Sequence, residues 1–339
     1  MISIVIPAYN AARTLDECLQ AVRRSDYDAY EVIVVDDAST DSSAAVAACH
    51  ACRVVHLPEN VGAAAAKNLG AREAAGDIVL FTDADILLPP DALRLVAENL
   101  KDPTVAGVVG LLGPKLRYGN FSSQFKNLWM YHTYARLARS SDAQQGVGLF
   151  FTSIAAIRRD VFVEQGGFDP HYHGASITED IEFGQRLLTT GHRIRLDGRL
   201  TVEHLKRYTF SELLKTDRQR AFGLTKTWLR KKLESAHSGV AHKYYTSVPW
   251  SFILSVPLTW LLPVLVLLFL WAGARIWLGA ALLDYASILI VNTPFLHTLL
   301  RVRGWVFLLQ ACLFLPVDLW VSGLGVLGAV MDYLAGNRY

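Results

Sequence analysis

The chain has 339 residues, 52% of them hydrophobic, with a mean hydropathy of +0.26 and a formal net charge of +2. So small a charge gives a nucleic-acid partner no electrostatic support, and none is expected. The apolar excess lies mostly in the last quarter, so the first roughly 240 residues read as a soluble domain large enough for a full core.

Met1-Ile2-Ser3-Ile4-Val5-Ile6-Pro7 begins directly on a strand pattern, so no signal peptide is expected. Residues 2–6, 31–37, 53–57 and 78–82 are short runs rich in β-branched and apolar residues. Helical patterns over 14–24, 41–50 and 62–75 separate them. This alternation predicts an α/β fold with βαβ units and a mostly parallel sheet, covered on both faces. Pro89-Pro90-Asp91 predicts a helix over 89–100, and 105–112 and 147–157 read as further strands. Phe121, Phe125, Leu128, Trp129, His132 and Leu137 recur at helical spacing, flanked by Lys126, Arg136 and Arg139. That pattern fits an amphipathic helix at a membrane surface or, equally, a helix packed in the core. The four cysteines include one C-x-x-C, Cys49 and Cys52, with no second ligand pair. Two small residues on one helix face, in a reducing compartment, is the expected reading.

From Val248 onward the chain is apolar in three stretches, 249–271, 276–298 and 304–330, each long enough to cross a bilayer. Several of Trp250, Trp260, Trp271, Trp277, Trp305 and Trp320 fall near expected helix ends, as interfacial anchors do. Asp318 and several glycines interrupt the third stretch. Basic residues before Val248, including Arg230-Lys231-Lys232, put the large domain in the cytoplasm by the positive-inside rule. Three crossings would then leave the C-terminus on the far side. Asp284, Asn292, His297 and Asp318 lie within the spans and are expected to pair or to touch lipid heads. The expected organisation is a catalytic domain over 1–225, an interfacial segment over 226–247 and a membrane domain over 248–339. Contacts through the spans leave room for a homo-oligomer.

Asp83-Ala84-Asp85 ends the run Ile78-Val79-Leu80-Phe81, which places two carboxylates at the mouth of a buried strand. With one residue between them on an extended chain they point to the same side and can grip a hard divalent cation with its phosphate cargo. Thr178-Glu179-Asp180 supplies a further carboxylate able to take a proton. It also suits a helix N-terminus, with Thr178 as cap and acids in the first turn. Pro7-Ala8-Tyr9-Asn10 follows the first strand, and Asp36-Asp37 follows the second. An aromatic beside a carboxylate can hold a nucleobase. Gly62 opens a helix carrying Lys67 and Asn68, suited to a diphosphate.

In this order, VIPAYNA at 5–11, VVDDAST at 34–40, NVGAAAAKNLG at 60–70, FTDAD at 81–85 and TEDIEFGQRL at 178–187 resemble the family 2 glycosyltransferases of GT-A fold. The resemblance covers roughly residues 1–225. It implies that Pro7, Ala8, Tyr9, Asn10, Asp36 and Asp37 bind the nucleotide. It implies that Asp83 approaches the ribose, that Asp85 coordinates Mn²⁺ or Mg²⁺, and that Asp180, in the Glu179-Asp180 motif, is the catalytic base. His204 in Val202-Glu203-His204 is a candidate to complete the metal site. Arg218 and Arg220 are candidates for a diphosphate or a lipid phosphate. Asp217 and Ala221 stand where processive relatives carry the Gln and Trp of Q-x-x-R-W, which argues against polymer threading. Gly166-Gly167-Phe168-Asp169, before His171 and His173, resembles the acceptor-side loop.

The expected function is inverting, metal-dependent transfer of one sugar from a UDP- or GDP-sugar to a hydroxyl of a lipid-linked acceptor at the cytoplasmic membrane face. One alternative is transfer to a polyprenyl phosphate. A more distant one is nucleotidyl transfer, disfavoured because Pro7-Ala8-Tyr9-Asn10 stands where a Gly-rich basic loop would be.

Overall fold

The computed structural model describes residues 1–140, 142–172, 178–238 and 248–337. Strand β1 (Ile2–Ala8) leads into α1 (Ala12–Arg23), β2 (Tyr30–Asp36) into α2 (Ser43–Ala48), and β3 (Arg53–His56) into α3 (Ala63–Glu73). Strand β4 (Ile78–Phe81) runs out into the acidic turn before β5 (Ile86–Leu87) and α4 (Ala92–Asn99). Then come β6 (Val105–Leu112), α5 (Phe121–Ala138), α6 (Asp142–Gln145), β7 (Ala155–Arg158), α7 (Arg159–Glu164), α8 (Glu179–Thr189) and β8 (Arg193–His204). Four helices follow: α9 (Phe210–Ser238), α10 (Trp250–Ala272), α11 (Arg275–Val291) and α12 (Thr293–Leu334).

One eight-stranded sheet has the order β3-β2-β1-β4-β7-β6-β8-β5. The first four strands are mutually parallel, β7 is antiparallel to both its neighbours, and β6 and β8 are parallel. Central strands buried on both faces need continuous apolar runs, and Ile4, Val5, Ile6, Val79, Leu80 and Phe81 are all fully enclosed. The β1–β2 register pairs Ala8 with Asp36, so the segments after both strands emerge together. β5 pairs antiparallel with β8, setting Ile86 opposite His204.

Several expectations change. Of the strand expected over 147–157, only β7 forms. Helix α5 buries Phe125, Leu128, Trp129, Met130 and Tyr134 together with Ser123, Gln124, Lys126 and Asn127, so it is a core helix. Its polar side chains bond inward: Asn127 donates to the Gly113 carbonyl (2.8 Å), and Ser123 accepts from the Tyr208 amide (2.8 Å). Helix α2 ends at Ala48, so Cys49 and Cys52 do not share a helix face; Cys52 donates its thiol to the Ala47 carbonyl.

The expected boundary at 225 falls inside α9, which is unbroken from Phe210 to Ser238, and residues 239–247 lie outside the described part. The second and third apolar stretches are also redrawn. Asn292 ends α11, its amide donating to Ser255 Oγ (2.7 Å), and Gly304, at φ 80°, kinks α12. Among the described residues two helices, α10 and α12, are long and apolar enough to cross a membrane.

Candidate active site

The ends of β1, β2 and β4 lie side by side at one edge of the sheet, and Lys67 of α3 ties the start of α8 to that edge. The rim there is built by backbone-directed carboxylates. Asp37 is buried, and its two oxygens accept from the amides of Val61 (2.8 Å) and Gly62 (3.0 Å). It thereby holds the turn that opens α3, where Gly62 takes φ 85°, a conformation that disfavours any side chain. Asp36 accepts from the Ser39 amide (3.3 Å) and faces His56 Nδ1 (3.2 Å). Asn10, at φ 50°, accepts from the amides of Thr40 (2.8 Å) and Asp41 (3.3 Å). Pro7 and Ala8 end β1, and Tyr9, 52% exposed, presents its ring beside this rim. A planar base could stack there.

The acidic turn after β4 divides its two carboxylates. Asp83 accepts from Ser153 Oγ (2.8 Å), while Ala84 is buried between them. Asp85 Oδ2 lies 3.2 Å from His204 Nε2, and the Leu205 amide donates to the Asp85 carbonyl (2.7 Å). The β5–β8 pairing therefore brings together two residues 119 apart in the chain. Burial alone would raise the Asp85 pKa, but His204 and, further off, Lys206 outweigh it and hold the carboxyl below its usual range. An ionised carboxylate beside an imidazole suits a hard or borderline divalent cation. Among the described residues no third carboxylate, histidine or cysteine joins them in a metal-holding group. Such a pair leaves most coordination positions to a ligand's own oxygens.

Glu179 and Asp180 occupy the first turn of α8, where the helix dipole favours acids. They point to different surroundings. Glu179 is 5% exposed, and its Oε1 lies 3.3 Å from Lys67 Nζ. Its Oε2 has no hydrogen-bond partner among the described residues. Lys67, 2% exposed, also donates to Thr152 Oγ1 (2.6 Å). Lys67 therefore does not reach out from the first turns of α3 toward a diphosphate: the carboxylates in the core have drawn it inward. Burial would lower its pKa, but Glu179, Asp83 and Asp180 overcome this and keep the ammonium more firmly charged than usual.

Asp180 packs deep in the domain yet keeps part of its surface exposed. Burial, helped by the adjoining Glu179 charge, pushes its pKa up to about 7 against the opposing pull of Lys67 and Arg220. A carboxylate near neutrality is what a general base requires. Arg220 reaches this region from α9, its guanidinium 5.5 Å from the Trp129 ring centroid and close enough to act on Asp180 and Tyr134. Arg218 does not join it. It is exposed on the opposite side of α9, where its carbonyl abuts α12.

Sequence reasoning does not single out Thr152 or Ser153, because a hydroxyl after an apolar run carries no signal of its partner. The Gly166-Gly167 turn is also pinned from a distance: Asn68 donates to the Phe168 carbonyl (2.7 Å) and accepts from its amide (2.8 Å). His171 bonds Asp169 (2.8 Å), and His173 lies outside the described residues.

Residues 3–166 match the family model described as glycosyl transferase family 2. Glycosyltransferase GlyG of Streptococcus pneumoniae serotype 4 (strain ATCC BAA-334 / TIGR4) is 30% identical over 140 residues, covering 39% of this chain and 44% of that protein. Poly-beta-1,6-N-acetyl-D-glucosamine synthase of Staphylococcus aureus (strain COL) is 27% identical over 202 residues, covering 58% of this chain and 48% of that one. The chain thus spans less than half the length of these relatives. Among solved structures, mannosyltransferase PcManGT from Pyrobaculum calidifontis, in complex with GDP-Man and Mn²⁺, aligns with a TM-score of 0.59 at 21% identity, covering 98% of this chain and 86% of that chain.

Proposed function

Through residues 3–166 this chain belongs to glycosyl transferase family 2, with a GT-A fold, and from that premise we propose that it transfers one sugar from a UDP- or GDP-sugar to a hydroxyl of a lipid-linked acceptor, with inversion. The observation that carries this reading is the division of labour between two carboxylates. Asp85 is held ionised beside His204, and Asp180, at the start of α8, has its pKa lifted to about 7.

In this reading Tyr9 stacks on the base, and Asp83 takes the ribose. Asp36 and Asp37 shape the nucleotide rim through their backbone bonds. Gly62 turns the N-terminus of α3 toward the phosphates. Asp85 and His204 are the residues that would hold Mn²⁺ or Mg²⁺, and the Mn²⁺ in the Pyrobaculum mannosyltransferase supports a divalent ion here. When bound, the ion offsets charge on the departing diphosphate. Asp180 takes the acceptor hydroxyl proton as that oxygen attacks the anomeric carbon from the face opposite the leaving group. The C–O bond to the diphosphate breaks as the new glycosidic bond forms, and the nucleoside diphosphate carries away the electron pair. Arg220 balances charge beside Asp180. Association with a membrane is supported by α10, which is apolar and mostly exposed, and the lipid-linked acceptor and the cytoplasmic face of the inner membrane are part of the proposal built on it.

The test is nucleotide diphosphate release by the detergent-purified protein from a panel of UDP- and GDP-sugars, with and without Mn²⁺ or Mg²⁺. Metal-dependent release from one donor, lost in Asp85→Ala, is expected. No release from any donor, together with no calorimetric binding in the presence of metal, would overturn the reading.

A further inference from the structure

We propose that α12 beyond Gly304 does not cross the bilayer but lies along its surface, with the catalytic domain on one side and lipid on the other. This rests on the membrane anchoring proposed above, and it returns the end of α12 to the catalytic side.

The first observation is that catalytic-domain helices accompany α12 along its length. Near its start, the Phe307 ring lies 5.0 Å from that of Phe121 on α5. One turn or two on, Phe314 meets Phe121 (5.3 Å), Phe125 (4.9 Å) and Phe210 of α9 (5.4 Å). Asp318 neighbours the buried ion pair of Lys126 and Asp217. At Gly325 a Cβ would overlap the Arg218 carbonyl, so only glycine allows α9 to seat there, and a Cβ at Gly328 would lie in ordinary contact, 3.6 Å, with the Phe222 ring. Near the end, Asp332 Oδ2 lies 2.7 Å from Lys226 Nζ. These contacts advance together in both helices, so α9 and α12 run parallel, side by side. If α12 crossed the membrane, α9 would cross with it. But α9 carries Lys215, Asp217, Arg218, Arg220, Lys226, Arg230, Lys231 and Lys232, more charge than a spanning helix bears.

The second observation is what faces away from α9. Val306, Leu309, Leu313, Val317, Trp320, Leu327, Met331 and Leu334 are exposed at intervals of three, four or seven residues, which is one continuous helix face. An apolar stripe of that length beside a charged partner helix fits a bilayer surface. The occupant is continuous with the α10–α11 hairpin, whose exposed Leu267, Leu270, Trp271, Ile276 and Leu283 extend away from the catalytic domain.

The test is thiol labelling of the full chain in cells, on a Cys49→Ser, Cys52→Ser background. An impermeant maleimide is expected to reach Ala272→Cys at the hairpin tip in intact cells. Ala335→Cys is expected to label only after permeabilisation. Labelling of Ala335→Cys in intact cells overturns the proposal while leaving the anchoring intact. Release of the whole protein by alkaline carbonate overturns the anchoring itself and the lipid contact with it. A fluorophore placed in turn at Leu309, Leu313 and Met331 gives a second measurement. Equal quenching by shallow lipid nitroxides supports a helix lying flat, and a graded depth overturns it.

Discussion

Lys67 and Glu179, 112 residues apart in the chain, meet in the core with Nζ 3.3 Å from Oε1. The pair joins α3 to the first turn of α8, which carries the proposed base. Both partners are almost fully enclosed, so the pair is screened little by solvent. Asp180 is the next residue, and its proton affinity is set by burial, raised further by Glu179 on α8 and opposed by Lys67 on α3 and Arg220 on α9.

Replacing Lys67 by methionine removes the cation that opposes two adjacent carboxylates. An opposite charge at this range moves a carboxyl by about one pH unit or more. The last ionisation of the Glu179–Asp180 pair should therefore rise, and the acid limb of kcat/KM should move to higher pH by about that amount. Adding Glu179→Gln removes the like charge as well and should bring the limb back. Had Lys67 served the diphosphate instead, the variant would raise the donor KM and leave the limb in place.

Asp180 must be ionised to accept a proton, and burial lifts its pKa to about 7. Activity should therefore fall as pH drops through that value, far above the range of an ordinary aspartate. Asp180→Asn should leave donor binding nearly unchanged and lower turnover by about 10²-fold or more, the usual worth of a positioned base. Retained turnover in that variant would reassign the base.

His204→Ala leaves Asp85 without its imidazole neighbour. The affinity for Mn²⁺ in the presence of nucleoside diphosphate should fall by about 10-fold or more, the scale seen when a metal ligand or its support is lost. Titrating Mn²⁺ against bound nucleotide by calorimetry reads this directly, without need of an acceptor.

Asp37→Ala removes the acceptor of two backbone amides. Hydrogen bonds to a charged group contribute about 1.5–3 kcal/mol each. The variant should melt several degrees lower and lose donor affinity through disorder of the Val61–Gly62 turn. An unchanged melting temperature would show that the turn has another support.

Much of this molecule can be read from residue order alone. The parallel half of the sheet follows from β-branched runs separated by helical patterns, because strands buried on both faces must be apolar throughout. Asp83, Asp85, Glu179 and Asp180 stand out because buried strand ends and helix starts are local features that one short segment reveals. The ambiguity of α5 could not be settled in the same way. Its Phe and Trp spacing suits lipid and core alike, and only the neighbours, Gly113 on one side and Tyr208 on another, show where its polar groups bond.

What the chain determined by itself is therefore the set of chemical groups and the strands that carry them. The tertiary structure alone decided their pairing. Lys67 turned from an expected phosphate ligand into the partner of Glu179, Arg220 was separated from Arg218, and His204 was brought to Asp85 by an antiparallel pair of strands. It also laid α12 against α9 where an apolar run of that length alone suggested a crossing. The physical reason is common to all four. Propensity and hydrophobic period act over a few residues, whereas charge pairing and burial depend on which distant segments the sheet and helices bring within a few ångströms.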